Sequence, residues 1–141
     1  MQQLESGEID LLNKCVDSDV ILGCMALSQQ GIDTRNYARL GYGFCAFACE
    51  ESATQFEAVR QAIAYALNTD EMAAAMTQGL GSRSIWPVGV NQWFYSDYTP
   101  YSYDPEKAKS LLAEAGYPDG FEFTLTLEPD DALKQVAEYL Q

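Results

Sequence analysis

Four cysteines, a cluster of aromatic rings and several carboxylate pairs are the groups of this chain that could carry chemistry. Cys15, Cys24, Cys45 and Cys49 permit three fully paired disulfide connectivities. Cys45 and Cys49 lie in Gly43-Phe44-Cys45-Ala46-Phe47-Ala48-Cys49, which reads as a buried strand. An extended strand would hold them about 13 Å apart, at ~3.3 Å per residue, beyond the roughly 7 Å limit for a disulfide. They are therefore not partners unless that strand is broken, and all four are read as buried free thiols behaving as small apolar residues. A zinc site needs four ligands, and the chain has no His and no C-x-x-C. No metal site is expected.

The carboxylate pairs Glu50-Glu51, Asp70-Glu71 and Asp130-Asp131 stand at helix starts, where negative charge offsets the helix dipole. The lack of His removes the commonest general base and the usual partner of a Ser or Cys nucleophile. There is no G-x-S-x-G, Walker A, G-x-G-x-x-G or EF-hand sequence. The reading is of a chain with no catalytic residue and no cofactor, not an enzyme. The aromatic stretch 79–103 holds Trp86, Trp93, Phe94, Tyr95, Tyr98, Tyr101 and Tyr103 among scattered Gly and Pro. Such rings can stack on a ligand or pack the loop onto its own domain.

The elements that must position these groups follow from periodicity and punctuation. Leu4 to Leu12 reads as a helix end, a Ser6-Gly7 turn and a strand beginning near Ile9. Ser18 and Asp19 can cap a helix through Val20, Ile21, Cys24 and Leu27 that stops at Gly31. Residues 32–40 read as polar and extended, and Tyr42 to Cys49 as a central strand. Phe56, Val59, Ala62, Ile63, Ala66 and Leu67 step by three and four, which predicts a helix over 54–68. Asn68 with Glu71 predicts a capped second helix that ends at Gly79. At roughly 25 residues, 79–103 is too long for a plain connection. Asp104 caps a helix with Pro105 at its first position, Ala108, Leu111, Leu112 and Ala115 on one face, and Gly116 as its stop. An alternating strand Phe121–Leu127 follows, then a helix from about Asp130 burying Leu133, Val136, Ala137 and Leu140. The order β-α-β-α-α-loop-α-β-α indicates an α/β fold, a mixed sheet with flanking helices.

With 141 residues, 48% of them hydrophobic and 21% charged, the chain can bury a real core. A net charge of −13 with only 8 Lys and Arg excludes sequence-nonspecific nucleic-acid binding, and an anionic membrane surface would repel it. No apolar run approaches the roughly 18 residues that cross a bilayer. Met1 to Glu5 has neither basic nor apolar character, so no signal peptide is read there. Val136 to Gln141 ends in a helical pattern without a stop signal, and the chain is expected to be excised from something longer.

Taken in order, Leu4-Glu5-Ser6-Gly7-Glu8-Ile9-Asp10, Tyr42-Gly43-Phe44-Cys45-Ala46-Phe47, Val59 to Asn68, Gly79-Leu80-Gly81 and Asp104 to Gly120 resemble the family 5 extracellular solute-binding proteins of ABC transporters, the peptide- and nickel-binding group. The family often has Asn after the Tyr42-like strand and Pro-Pro-Phe before the next helix, where this chain reads Ala48 to Phe56. The resemblance implies part of a two-lobed, type II periplasmic-binding-protein-like fold. Residues 1–36 would end the first lobe, 37–49 would form a crossing or cleft-lining strand, and 50–141 would begin the second lobe. It implies an extracellular or periplasmic protein, membrane-anchored or lipoprotein, that closes by a hinge over a peptide and presents it to an ABC permease. Tyr42, Phe44, Cys45 and Phe47 would line the cleft, with Trp86 and Trp93 as secondary ligand contacts. Nickel, oligosaccharide or another small solute is the alternative ligand, and a protein-interaction domain that shares the fold is the alternative role. Apolar surface at the lobe boundary would make the isolated chain self-associate.

Overall fold

The structure is a computed structural model that describes residues 1–37, 41–89, 92–96, 98–129 and 131–140. It divides into two compact units, Met1–Arg39 and Leu40–Gln141.

In the first unit, α1 (Gln2–Glu5) ends at Ser6, and Gly7 turns the chain with a φ of 72°. The second helix, α2 (Ser18–Ala26), continues through a 3-10 turn, Leu27–Gln30, to Gly31 at φ 87°. The stop falls where the sequence puts it, because glycine adopts this left-handed backbone without a Cβ clash. The cap falls one residue earlier than expected. Asp17 is the capping residue, and its Oδ1 accepts from the Val20 amide at 3.1 Å. Cys24 and Leu27 are the buried apolar residues here. The strand expected near Ile9 does not form, and Ala38 to Leu40, at the end of the expected extended segment, lie outside the described residues.

The second unit is built on two helices, α3 (Glu57–Ala66) and α5 (Pro105–Glu114). They run antiparallel. The Asp104 amide, at the start of α5, donates to the Tyr65 carbonyl near the end of α3 at 2.8 Å, while Phe56 at the start of α3 meets Tyr117 beyond the end of α5. Val59, Ala62, Ala108 and Leu111 are buried, with Ala58, Tyr65 and Leu112 packed beside them. Alanines on the facing stripes let the two backbones approach closely, and Leu111 fills the space that remains. Residues 53–55 form a 3-10 turn before α3 rather than its first turn, so Phe56 is left 45% exposed. Arg60 turns back over this junction, donating from Nη1 to the Thr54 and Gln55 carbonyls at 2.8 Å each.

The ends of α5 match the sequence reading. Asp104 Oδ1 accepts from the Lys107 amide at 2.9 Å, and Pro105 occupies the first turn. At the other end Gly116 sits at φ 90°, its amide bonds the Ala113 carbonyl, and the Tyr117 amide reaches Leu112 at 2.8 Å. That bond pair is a Schellman motif. The short helix α4 (Thr69–Thr77) is capped by Asn68, whose Oδ1 accepts from the Glu71 amide and whose Nδ2 donates to the Glu71 carboxylate. It ends on two left-handed residues, Gln78 and Gly79, and packs against α6 (Asp131–Leu140). Within α6, Val136, Ala137 and Leu140 are half-buried and Leu133 is 38% exposed. Asp130 lies outside the described residues.

The expected mixed sheet is corrected by the structure. The described residues contain helices and no strand. Tyr42–Cys49 and Phe121–Leu127 carry strand composition, yet a strand is stabilised by a partner that takes its hydrogen bonds and opposes its side chains. Neither segment has one among the described residues. Every residue of Tyr42–Cys49 is exposed. In the second segment Phe121 and Phe123 join Phe56 and Tyr117 in a run of rings with centroids 5.5 to 6.3 Å apart, and Leu125 and Leu127 stay exposed.

Candidate functional site

Six residues carry the expected ligand contacts, and the structure places them in two groups within the second unit. Tyr42, Phe44, Cys45 and Phe47 lie on the irregular segment before the 3-10 turn. The Tyr42 and Phe44 rings are 5.9 Å apart at 52°, as two-residue spacing on an extended chain allows, with Phe44 77% exposed. Cys45 and Cys49 are exposed free thiols rather than the buried ones expected, because the segment that carries them packs on no partner among the described residues; Cys24 alone of the four is buried. The segment is anchored at its far end by Thr54, the one buried polar residue among the described residues. Its Oγ1 donates to the Ala48 carbonyl at 2.7 Å, so the Ser52 hydroxyl, 2.9 Å away, is the donor in their contact. The chain bends between, over Cys49 to Ser52, with Ser52 at φ 67°. Ala48, Cys49, Glu50 and Glu51 line an open concavity of about 380 Å³ there.

Trp86 and Trp93 belong to the loop between α4 and α5 and differ in what they do. Trp86 is half-buried, donates from Nε1 to the Ser96 carbonyl at 3.0 Å, and stacks on Tyr98 at 6.3 Å and 26°. It is a packing residue of its own loop. Trp93 is 92% exposed, edge-on to Phe94 at 5.2 Å. Among the described residues no ring contact joins the Tyr42 segment to this loop. Arg83, which the sequence reading passed over, ties the loop to α4: its Nε meets Asp70 at 3.2 Å and its Nη2 donates to Thr99 at 3.2 Å. Its only signal is being the single cation within residues 79–103. Tyr65 and Tyr101 meet edge-on at 5.3 Å and pin the loop's end to α3.

Lost hydration, then the Glu71 carboxylate it faces and bonds, and lastly Tyr103 hold the Tyr139 phenol above its usual range. The hydrogen bond and charge of Glu106, at 2.8 Å, raise Lys109. Among the described residues no three Cys, Asp or Glu converge as a metal cage, and no helix is long and apolar enough to cross a membrane. What the site offers is exposed aromatic faces and, along Tyr42–Ala46, backbone amide and carbonyl groups with no partner among the described residues; the Phe47 and Ala48 carbonyls accept from Cys49 Sγ and Thr54 Oγ1. That chemistry suits reversible capture of a small molecule.

Residues 1–141 match the family described as bacterial extracellular solute-binding proteins, family 5 Middle. The chain belongs to this family, which implies a periplasmic-binding-protein fold. It is 42% identical over 91 residues to heme-binding protein A of Haemophilus influenzae and 37% identical over 91 residues to the dipeptide-binding protein of Escherichia coli. Each match covers 64% of this chain and 17% of the relative. A glutathione-binding protein of Pectobacterium atrosepticum is 42% identical over 67 residues, 48% of this chain and 13% of its own length. The chain thus matches a small part of each relative.

Proposed function

We propose that this chain is part of the extracellular or periplasmic binding component of an ABC importer, and that the component binds a peptide. It acts by capture and delivery to a permease, not by catalysis. The family match along the whole chain carries this reading. Two of the relatives are named for binding a dipeptide and glutathione, both short peptides, which favours a peptide over nickel or an oligosaccharide.

Residues 1–36 end the first lobe in this reading, 37–49 cross between lobes, and 50–141 begin the second. Tyr42, Phe44, Cys45 and Phe47 face the ligand. The backbone groups of this segment bond the peptide main chain, a contact indifferent to peptide sequence. Phe44 and Phe47 supply apolar cover. Trp93 is the loop's ligand contact, because Trp86 is held by Ser96 and Tyr98.

Melting curves of the protein encoded by the full reading frame, taken with dipeptides, tripeptides, glutathione, hemin and nickel, test the proposal. A ligand at a hundred times its Kd stabilises the folded state by about 2.7 kcal/mol. Peptides are expected to raise Tm by several degrees. Hemin alone raising it would replace the peptide by a porphyrin, as the Haemophilus relative's name favours. No response to any solute would favour a protein-interaction domain and overturn the reading.

A further inference from the structure

Cys45 and Cys49 are both exposed, on a segment that the structure leaves without a strand partner. An extended backbone holds them ~13 Å apart, and residues 41–48 carry no turn or bend, but among the described residues no strand partner fixes that extension. Ala48 is pinned by Thr54, so the Cys49 end is fixed. Cys49 Sγ turns back along the chain to the Phe47 carbonyl at 3.4 Å, toward Cys45. A Cβ added at Gly43 would meet nothing within 4 Å, so the Cys45 end has open space to bend. By contrast Cys24 is 6% exposed inside α2.

We infer that Cys45 and Cys49 close a short disulfide loop that clips the ligand-facing segment into a bend. The inference rests on the extracellular placement proposed above, since disulfides persist in oxidising compartments. The oxidant is a small-molecule or protein disulfide. The Cys45 thiolate attacks one of its sulfurs, breaking that bond and expelling a thiolate. The Cys49 thiolate then attacks the Cys45 sulfur and expels the second thiolate. Both cysteines are oxidised, the disulfide is reduced to two thiols, and the protons of Cys45 and Cys49 end on those thiols. Closure brings the two Cα atoms to within ~7 Å, which replaces the extended form of the segment by a bulged one carrying Phe44 and Phe47 on its loop.

The four cysteines fall into two tryptic peptides, 15–35 with Cys15 and Cys24, and 40–60 with Cys45 and Cys49. The chain is equilibrated in glutathione buffer rich in the disulfide, quenched in denaturant with N-ethylmaleimide, digested and weighed. The expected result is peptide 40–60 lighter by two hydrogens and free of maleimide, in the wild type and in Cys15→Ser/Cys24→Ser alike. Chymotrypsin should also cut after Phe44 and Phe47 several-fold more slowly in the oxidised wild type, and at equal rates in oxidised and reduced Cys45→Ser. Maleimide or glutathione on both Cys45 and Cys49, or 40–60 linked to 15–35 or to a second copy, would overturn the inference. A bridge without solute binding overturns the proposed function alone, and solute binding without a bridge overturns this inference alone.

Discussion

Single side chains divide sharply between those that hold the α3–α5 pair and those that face solvent. Leu111 is 7% exposed in the core cluster with Ala62 and Ala108, whereas Trp93 is 92% exposed despite its size. Leu111→Ala should cost about 2–4 kcal/mol, the transfer free energy plus the cavity left between facing alanines. Trp93→Ala should change stability by less than about 0.5 kcal/mol. Urea melts of the two variants read the difference directly, and equal losses would mean the core is misplaced. Tyr139 gives a pH signature. Its phenol is held protonated above the usual value of 10.0 in the folded state by lost hydration and Glu71. The folded form therefore keeps the proton as the unfolded form loses it, and stability declines as pH rises through 10 toward the raised value. Tyr139→Phe should flatten that decline, as thermal melts across the alkaline range would record.

Helices and the two extended segments should differ just as clearly in hydrogen exchange. Amides within α3 and α5 are expected to be the slowest, and those of Tyr42–Cys49 to exchange at nearly the unfolded rate. Slow exchange in Tyr42–Cys49 would contradict amides that no described residue pairs. The same contrast explains what was legible in the sequence. Helix α5 was readable to the residue because its cap, first-turn proline and glycine stop are all local: Asp104, Pro105 and Gly116 each act within a turn or two of chain. The Asn68–Glu71 cap was readable for the same reason. The start of α2 slipped by a single residue because Asp17, Ser18 and Asp19 are all competent caps and only backbone geometry chooses among them. The strands failed for a different reason. Alternation at Phe121–Leu127 says which side chains share a face, but whether a partner exists is a nonlocal fact that no spacing within the segment encodes. The candidate site inherits that gap. The ring pair Tyr42 and Phe44 follows from spacing, while the separate fates of Trp86 and Trp93 depend on Ser96 and Tyr98, which a composition-level reading treats as interchangeable loop residues.

The molecule as a whole combines a net charge of −13 with many exposed large apolar side chains, among them Leu11, Val16, Phe44, Trp93 and Phe123. Charge repulsion keeps copies apart and apolar surface draws them together. Self-association of this chain should therefore grow as salt screens the repulsion, the Debye length falling from about 10 Å at 0.1 M to about 3 Å at 1 M. Light scattering across that range should show rising mass, and a constant monomer mass would show that the exposed groups do not act as a sticky surface. The proposed role is solute capture, and the exposed segment Tyr42–Cys49 is the surface proposed to perform it. The most direct measurement joins the two. A tripeptide carrying a photoreactive benzophenone is irradiated with the full-reading-frame protein, and the tryptic peptides are sequenced. Saturable crosslinking to peptide 40–60, abolished by excess unlabelled peptide, is the predicted result. Crosslinking that excess peptide does not compete, or that falls only outside 40–60, would contradict a peptide-binding role for this segment.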